Sequence, residues 1–264
     1  MKTTAATTAA ECSTAIAELI GAVFSHIEVW RRELQAYAAR PGGVTRSGID
    51  AFVEELVRAE FDDERLPVIG AGFVAAPGFI PDAEWHLAWW LGELNTFGLE
   101  TRPPHVRRLD AVEDPTSDAF RDYTSLEWWR VPLSTGRRHL TGPYVDYLCT
   151  DAYTVTLTVP VHVGDRVIGV VGADLYVDEI ERRQLPLLRA LGRPATLINP
   201  SGRVIASTDA AQAPGSLLRL PGLADALRSL VDSPSAAFEG WSVDRCGDTG
   251  LALVVAGART EFDR

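Results

Sequence analysis

The chain has 264 residues and a formal net charge of −11 at pH 7. Apolar residues make up 46% of it and charged residues 23%, a balance typical of a folded protein that holds one large or two small cores. The negative charge would repel nucleic-acid phosphates and anionic lipids, so we expect neither nucleic acid nor membrane as a partner.

The cysteines and the N-terminus bear on the cellular compartment. Cys12, Cys149 and Cys246 are far apart and show no Cys-x-x-Cys or Cys/His spacing, so we expect no metal and no other cofactor. The N-terminus, MKTTAATTAAECSTA, lacks the apolar run of a secretory signal. The most apolar helical stretch, Ile16 to Trp30, contains two glutamates and a histidine and is predicted not to span a bilayer. A soluble, cytoplasmic protein is expected.

The first predicted element is a long amphipathic helix from about Ala10 to Arg40. Its apolar residues recur at spacings of three and four, and Pro41-Gly42-Gly43 ends it. The helix would brace two lobes, or its free face would also form the seam of a homodimer, and both interpretations stay open. Ser47 is the predicted N-cap of a second helix that runs through Phe61.

Two strands and a loop follow. The strand predicted from Val68 to Ile80 contains a lone Gly-Ala-Gly, which lacks the continuation of a phosphate-binding loop. In the strand from Glu84 to Leu91, alternation places Leu87 and Trp89 on one face; we expect both faces to be packed, with a pocket wall as the alternative. Glu100 to Asp122 is predicted to be a long loop over a binding face.

The segment from Tyr123 to Leu175 is the most informative part of the chain. Its runs Tyr153 to Val161 and Val167 to Leu175 are rich in β-branched residues and are joined by a polar turn. They predict an antiparallel hairpin.

Aromatic and acidic residues surround this hairpin. Trp128 and Trp129 precede it, Tyr144 and Asp146 share one face if extended, and Asp174 ends its second strand. Aromatic rings with two carboxylates are what a desolvated organic cation needs. Ordinary core packing of the tryptophans and helix capping by the last acid form the alternative interpretation.

The rest of the chain predicts a smaller second lobe without such a cluster. Asp178 to Leu191 is a linking helix, and a hairpin around Pro200-Ser201-Gly202 follows. Leu217 to Val231 is predicted as helix, and Ala236 to Val243 and Leu251 to Ala256 as two further strands. The predicted division is residues 1–45 for the long helix, 46–176 for the ligand-binding lobe, 177–191 for the linking helix and 192–264 for the second lobe.

The motifs WW, GPYVD, VTLTVPV and GVVGADL, followed by ATLINPSGRVIAST, resemble the double Cache family of extracytoplasmic sensor domains. The resemblance covers roughly residues 10 to 260. It implies an α/β fold with a long N-terminal helix and two PAS-like lobes, each a central antiparallel sheet flanked by helices. Most relatives sit between transmembrane helices and signal to an attached domain. No such segment is evident here, so we expect a stand-alone sensor and a separately encoded regulator.

The resemblance also implies a ligand site. In relatives that bind amino acids or amines, residues matching Trp128, Tyr144, Asp146 and Asp174 hold the ligand's ammonium group. Trp129 would lie beside this site or in the core.

The departures from the family pattern narrow the range of possible ligands. The arginine that clamps the α-carboxylate in amino-acid binders is replaced by Leu126, and a motif tyrosine is replaced by Arg121. Tyr123 is a candidate for a substitute polar contact. Without the guanidinium, an α-amino acid would leave its carboxylate poorly paired, so the resemblance points to a small amine.

Two other classes stay open. A small-molecule enzyme would use Asp146 and Asp174 as an acid–base pair, but no nucleophile motif or metal-ligand spacing accompanies them, so no catalytic residue is predicted. A protein-interaction module with no small ligand would keep the fold and leave the pocket unused.

Overall fold

The chain begins with the long helix that its apolar spacing predicts. In the computed structural model, which describes residues 7–63, 65–147 and 149–257, helix α1 spans Ala9–Ala38. By length and composition alone α1 could cross a membrane, with a mean hydropathy of 1.3 in its most apolar window. Core helices pass the same test, and the apolar stripe of α1 is buried in the protein. Its buried members are Ile16, Ile20, Val23, Phe24, Ile27, Trp30 and Leu34.

Helix α2 begins earlier than predicted. It spans Arg46–Arg58, and its N-cap is Thr45, whose hydroxyl accepts a hydrogen bond from the backbone N–H of Gly48. The predicted cap, Ser47, therefore lies inside the helix. Threonine and serine cap helices by the same hydrogen bond, so the sequence Thr-Arg-Ser does not indicate which of the two is the N-cap. The predicted end at Phe61 lies in a short 3₁₀ turn, Ala59–Asp62.

The first sheet has six antiparallel strands in the order β3-β2-β1-β6-β5-β4. The predicted hairpin forms its β5-β6 pair and turns at Gly164, whose φ of 58° suits glycine. A short helix, α3, spans Glu127–Thr135 and precedes β4. The strands are β1 Val68–Ala75, β2 Leu87–Leu91, β3 Arg107–Arg108, β4 His139–Val145, β5 Tyr153–Val163 and β6 Arg166–Tyr176.

Strands β1 and β2 are shorter than their apolar runs predict. The chain turns between them at Gly78, where φ is 72° and the backbone N–H bonds to the carbonyl of Glu84, 2.8 Å away. The residues between Ala75 and Leu87, including Ile80 and Glu84 at the predicted strand ends, therefore belong to the connection between β1 and β2. Their apolar side chains pack without joining the sheet, which is why composition alone extended both strands.

The second sheet has five strands in the order β8-β7-β11-β10-β9, preceded by helix α4, Val177–Ala190. The strand predicted over Ala236 to Val243 is in fact a hairpin, because Glu239 and Gly240 both have positive φ and reverse the chain. The predicted helix Leu217 to Val231 is shortened to α5, Leu223–Ser229, which starts after Gly222. The strands are β7 Ala195–Ile198, β8 Val204–Ser207, β9 Ser235–Phe238, β10 Trp241–Arg245 and β11 Ala252–Ala256.

These elements form two units. One contains Ala22–Tyr176 with the first sheet, and the other contains the described residues up to Gly21 and from Val177 onward with the second sheet. The predicted fold class, a mixed α/β chain with a long first helix and two antiparallel sheets flanked by helices, is confirmed. The four-part division of the chain stays a prediction.

Candidate functional site

A narrow pocket lies on one face of the first sheet. The cavity has a volume of about 20 Å³, room for about one water molecule, so a larger ligand requires its side chains to move apart. All of its lining residues are buried in the protein. They are Val74, Leu87, Trp89, Leu109, Trp128, Asp146, Cys149, Thr156 and Asp174.

Sheet pairing brings distant residues to this face. Asp174 on β6 is paired with Gly70 on β1 and with Thr156 on β5. Gly72, two residues from Gly70 and so on the same face, is paired with Trp89 on β2. Gly70 lets Trp89 and Asp174 approach each other, because a Cβ there would lie 2.8 Å from Nε1 of Trp89 and 3.2 Å from Oδ2 of Asp174.

A chain of polar contacts joins the two carboxyl groups. The Tyr144 hydroxyl donates to Oδ2 of Asp146 at 2.8 Å and lies 2.8 Å from Oγ1 of Thr156. The Thr156 hydroxyl in turn lies 2.7 Å from Oδ1 of Asp174, to which it donates when that carboxyl is ionised. The thiol of Cys149 donates to Oδ2 of Asp174 at 3.1 Å.

Counting protons along this chain identifies its favoured protonation state. Three short oxygen–oxygen contacts link Asp146, Tyr144, Thr156 and Asp174, but the two hydroxyls have only one proton each. A proton on Asp174 completes the series, because Asp174 then donates to Thr156, Thr156 to Tyr144, and Tyr144 to Asp146. Without a bound cation, the pocket therefore favours one shared proton on its acid pair.

The electrostatics agree with this count. Burial, and then the nearby Asp146 carboxylate, raise the pKa of Asp174 to about 7. Burial and the two acids also raise the pKa of the Cys149 thiol, which keeps it protonated and a poor nucleophile. Among the described residues, no lysine, arginine or histidine lines the pocket.

The predicted aromatic residues divide into pocket and core. Trp128, on α3, lines the pocket. Behind it, the ring of Tyr123 stacks at 6.3 Å and the ring of Trp129 packs edge-on at 6.5 Å. The Tyr123 hydroxyl donates to the carbonyl of Ala75 in the core, so it is not directed at a ligand. Tyr144 is half-buried, and its hydroxyl reaches the pocket through its two polar contacts.

The positions that depart from the family pattern supply no substitute charge. Leu126 is partly buried and packs against the aromatic cluster. Arg121 is exposed and donates to the backbone carbonyls of Asp118 and Phe120.

Six pocket-lining residues were not predicted as site residues from the sequence: Val74, Leu87, Trp89, Leu109, Cys149 and Thr156. Trp89 and Leu87 belong to the face that had been considered as an alternative pocket wall, and the structure places both in the pocket while all of β2 is buried. Thr156 could be found only from its pairing with Asp174. Cys149 gave no local signal, because it reaches the site through the turn after Asp146.

A second polar cluster holds the loop that covers this side of the sheet. The fully buried His86 lies between Asp50 and Glu113, with nitrogen–oxygen distances of 2.9 Å to each. Glu113 also accepts the backbone N–H of Leu87, a pocket residue. Burial lowers the pKa of His86, but its hydrogen bonds to the two acids outweigh burial and raise it above its usual value. Among the described residues, no group of three or more His, Cys, Asp or Glu side chains is arranged to hold a metal ion.

Comparisons with known proteins place this geometry in a family context. Residues 104–182 match the family model of the first PDC sensor domain of methyl-accepting chemotaxis protein-like proteins. A search against curated protein sequences returned no match.

Solved structures share the fold over nearly the whole chain. Methyl-accepting chemotaxis protein X is 15% identical with a TM-score of 0.63, and the alignment covers 94% of this chain and 93% of that one. The periplasmic sensory domain of the Campylobacter jejuni chemoreceptor Tlp1 is 11% identical with a TM-score of 0.63, covering 94% and 91%. The ligand-binding domain of the Pseudomonas aeruginosa amino acid chemoreceptor PctC, solved with GABA, is 15% identical with a TM-score of 0.52, covering 93% and 95%. The match and the shared fold confirm the resemblance to double Cache sensor domains.

Proposed function

We propose that this chain, whose first lobe matches a PDC sensor domain of the chemoreceptor type, binds a small cationic amine in the pocket of that lobe. The single observation that supports this most strongly is the pair of buried acids, Asp146 and Asp174, on a pocket that no described cationic side chain lines. A buried carboxylate is costly unless it is paired or protonated. A ligand ammonium would supply the missing charge.

Each residue of the proposed site has a physical role. Asp146 and Asp174 accept the ammonium protons, each charged hydrogen bond contributing about 1.5 to 3 kcal/mol. The ring of Trp128 faces the cation and adds cation–π attraction. Tyr144 and Thr156 orient the acids through the contacts described above. Trp129 and Tyr123 support Trp128 from the core and do not line the pocket.

The absence of a guanidinium favours an amine over an α-amino acid. Leu126 occupies the motif position of the clamping arginine, and no arginine among the described residues lines the pocket. A ligand carboxylate would therefore enter a site that already holds two acids. The relative solved with GABA is an amino acid chemoreceptor, which indicates that this fold accommodates small nitrogenous ligands.

Binding is a better proposal than catalysis for this acid pair. Chemotaxis proteins with this domain are receptors, and the neighbouring Cys149 is held as a neutral thiol. The cytoplasmic location, a homodimer through α1 and a separately encoded regulator stay predictions.

A thermal-shift screen of the purified protein tests the proposal. Amines, their parent amino acids, short carboxylates and purines would be compared at about 1 mM, because a ligand at 100 times its Kd stabilises by about 2.7 kcal/mol. We expect amines to raise the Tm and their parent amino acids not to. A shift with carboxylates only, or with no compound, would contradict the amine site and favour an interaction module.

A further inference from the structure

We infer that the bound amine also has a neutral hydrogen-bond acceptor, a hydroxyl or carbonyl oxygen, and that the indole N–H of Trp89 donates to it, with Trp128 as a second donor. The inference rests on the proposed function and narrows its ligand class.

The starting observation is a pair of unsatisfied donors. The indole nitrogens Nε1 of Trp89 and Trp128 are both buried and have no hydrogen-bond partner among the described residues. The two side chains are 6% and 5% exposed, and both line the pocket. Buried N–H groups are nearly always paired, so two unpaired donors in one pocket indicate a group that enters it.

Gly70 shows that the Trp89 donor and the acid pair border the same space. A Cβ placed at Gly70 would lie 2.8 Å from Nε1 of Trp89 and 3.2 Å from Oδ2 of Asp174. Both atoms therefore lie close to the same point beside Gly70, where a methyl group would be too crowded to fit without a shift. A single small molecule can reach both of them.

The hydrogen-bonding character of the pocket then specifies the ligand. Ionised carboxylates only accept and indole N–H groups only donate, so an ammonium satisfies the acids and leaves both tryptophans unpaired. The ligand must bring an acceptor for them. A carboxylate acceptor would add a third negative charge beside Asp146 and Asp174 with no lining cation to offset it. A neutral oxygen meets the tryptophans without that repulsion.

Ethanolamine and n-propylamine form a matched pair of probes. They have the same number of non-hydrogen atoms and the same charge, and they differ by a hydroxyl in place of a methyl group. β-Alanine has a carboxylate at the same end. Because the cavity of about 20 Å³ must widen to admit any organic ligand, the probes are kept this small.

Calorimetric titration of the full chain with these three probes tests the inference. We expect the wild-type protein to bind ethanolamine roughly three- to tenfold more tightly than n-propylamine, the range of one neutral hydrogen bond, and to bind β-alanine more weakly than ethanolamine. Trp89→Phe removes the N–H and keeps an aromatic ring. The ratio of the affinity for ethanolamine to that for n-propylamine should therefore fall towards one in this variant. Loss of ring volume affects both amines alike, which makes the ratio specific for the N–H.

Trp90→Phe is the control. Trp90 is the neighbouring residue on β2, is equally buried and does not line the pocket, so it should keep the wild-type ratio. Equal affinities of the wild type for the two amines, or tighter binding of β-alanine, would overturn the inference and leave the amine site standing. A preference that persists in both Trp89→Phe and Trp128→Phe would also overturn it. Binding of neither amine would overturn the proposed function itself and this inference with it.

Discussion

Thr156 stands directly opposite Asp174 in the β5-β6 pairing, and its hydroxyl oxygen lies 2.7 Å from Oδ1 of that buried acid. This contact connects Asp174 through Tyr144 to Asp146, so the two acids of the pocket behave as one proton-sharing unit. The protonation state of that unit is expected to govern both the stability of the first lobe and its affinity for a cation.

Replacing Asp174 by asparagine should separate binding from folding. Asp174→Asn keeps the shape and the acceptor for Thr156 but removes the negative charge, so we expect amine affinity to fall at least about tenfold. Without ligand, the variant should be as stable as the wild type or more stable at neutral pH, because the substitution removes a buried negative charge that is costly to desolvate. Titration calorimetry and thermal unfolding measure the two effects.

Asp165→Asn is the matched control for that variant. Asp165 is exposed in the turn between β5 and β6, so the same change in net charge should leave affinity unaltered. Equal amine affinities of the Asp174 and Asp165 variants would argue against Asp174 as a ligand-binding residue.

The stability of the ligand-free protein should depend on Asp174 in a defined pH window. Its folded pKa of about 7 lies above the value of about 3.9 for an unfolded aspartate, so the folded protein holds a proton that the unfolded chain has lost. The free energy of unfolding should therefore decrease as pH rises from about 4 to about 7, by an amount on the order of a few kcal/mol. Denaturant unfolding across this pH range gives the free energy of unfolding of the wild type and of Asp174→Asn. The difference between the two is the contribution of Asp174. A difference that does not vary with pH would exclude the raised pKa.

Amine binding should release the shared proton. Since the ammonium binds the ionised acid pair, affinity should weaken as pH falls below about 7. Calorimetry in two buffers of different ionisation enthalpy reports the protons released. The same enthalpy in both buffers at pH 6 would show that no proton leaves.

Removing the hydroxyl that joins the acids should shift this pH dependence upward. Thr156→Val takes away the hydrogen bond that lowers the pKa of Asp174, so amine binding should be lost at a higher pH than in the wild type. Leaving buried polar groups unpaired should also cost about 1 to 3 kcal/mol of stability. Thr154→Val is the control on the same strand, since its hydroxyl bonds only to the carbonyl of Ala152 among the contacts described. Identical pH profiles for the two variants would show that the Thr156 contact has no influence on the acid pair.

His86 should stabilise the first lobe in its protonated form. Its folded pKa is raised, so its contribution is complete below about 6.5, the unfolded value, and is lost as pH rises through the folded pKa. His86→Gln should therefore destabilise the protein most at acidic pH. Breaking a buried ion pair costs up to about 3 to 5 kcal/mol, and partial exposure of Asp50 reduces that figure. Unfolding at pH 5.5 and pH 8.5 tests this, and a larger loss at the higher pH would contradict it.

Periodicity and β-branched composition are local properties, and they identified the long helix and the β5-β6 hairpin. The resemblance to a known family supplied the fold class. Motif resemblance placed Trp128, Asp146 and Asp174 in one candidate site, and the structure brings all three to one pocket. The sequence also shows the Gly-Ala-Gly of β1, without indicating that Trp89 and Asp174 pack against Gly70.

Tertiary structure decided which side chains meet those residues. Alternation along a strand predicts the face of a residue but not its neighbour on the next strand, so the contacts of Thr156 and Trp89 with this pocket required the register of the sheet. The division of a predicted strand at Glu239 and the burial of the Tyr123 hydroxyl in the core depend likewise on where the chain turns and what packs against it. Hydrogen bonds between distant residues form only after the strands are paired, which is why the acid-linking network could not be derived from spacing alone.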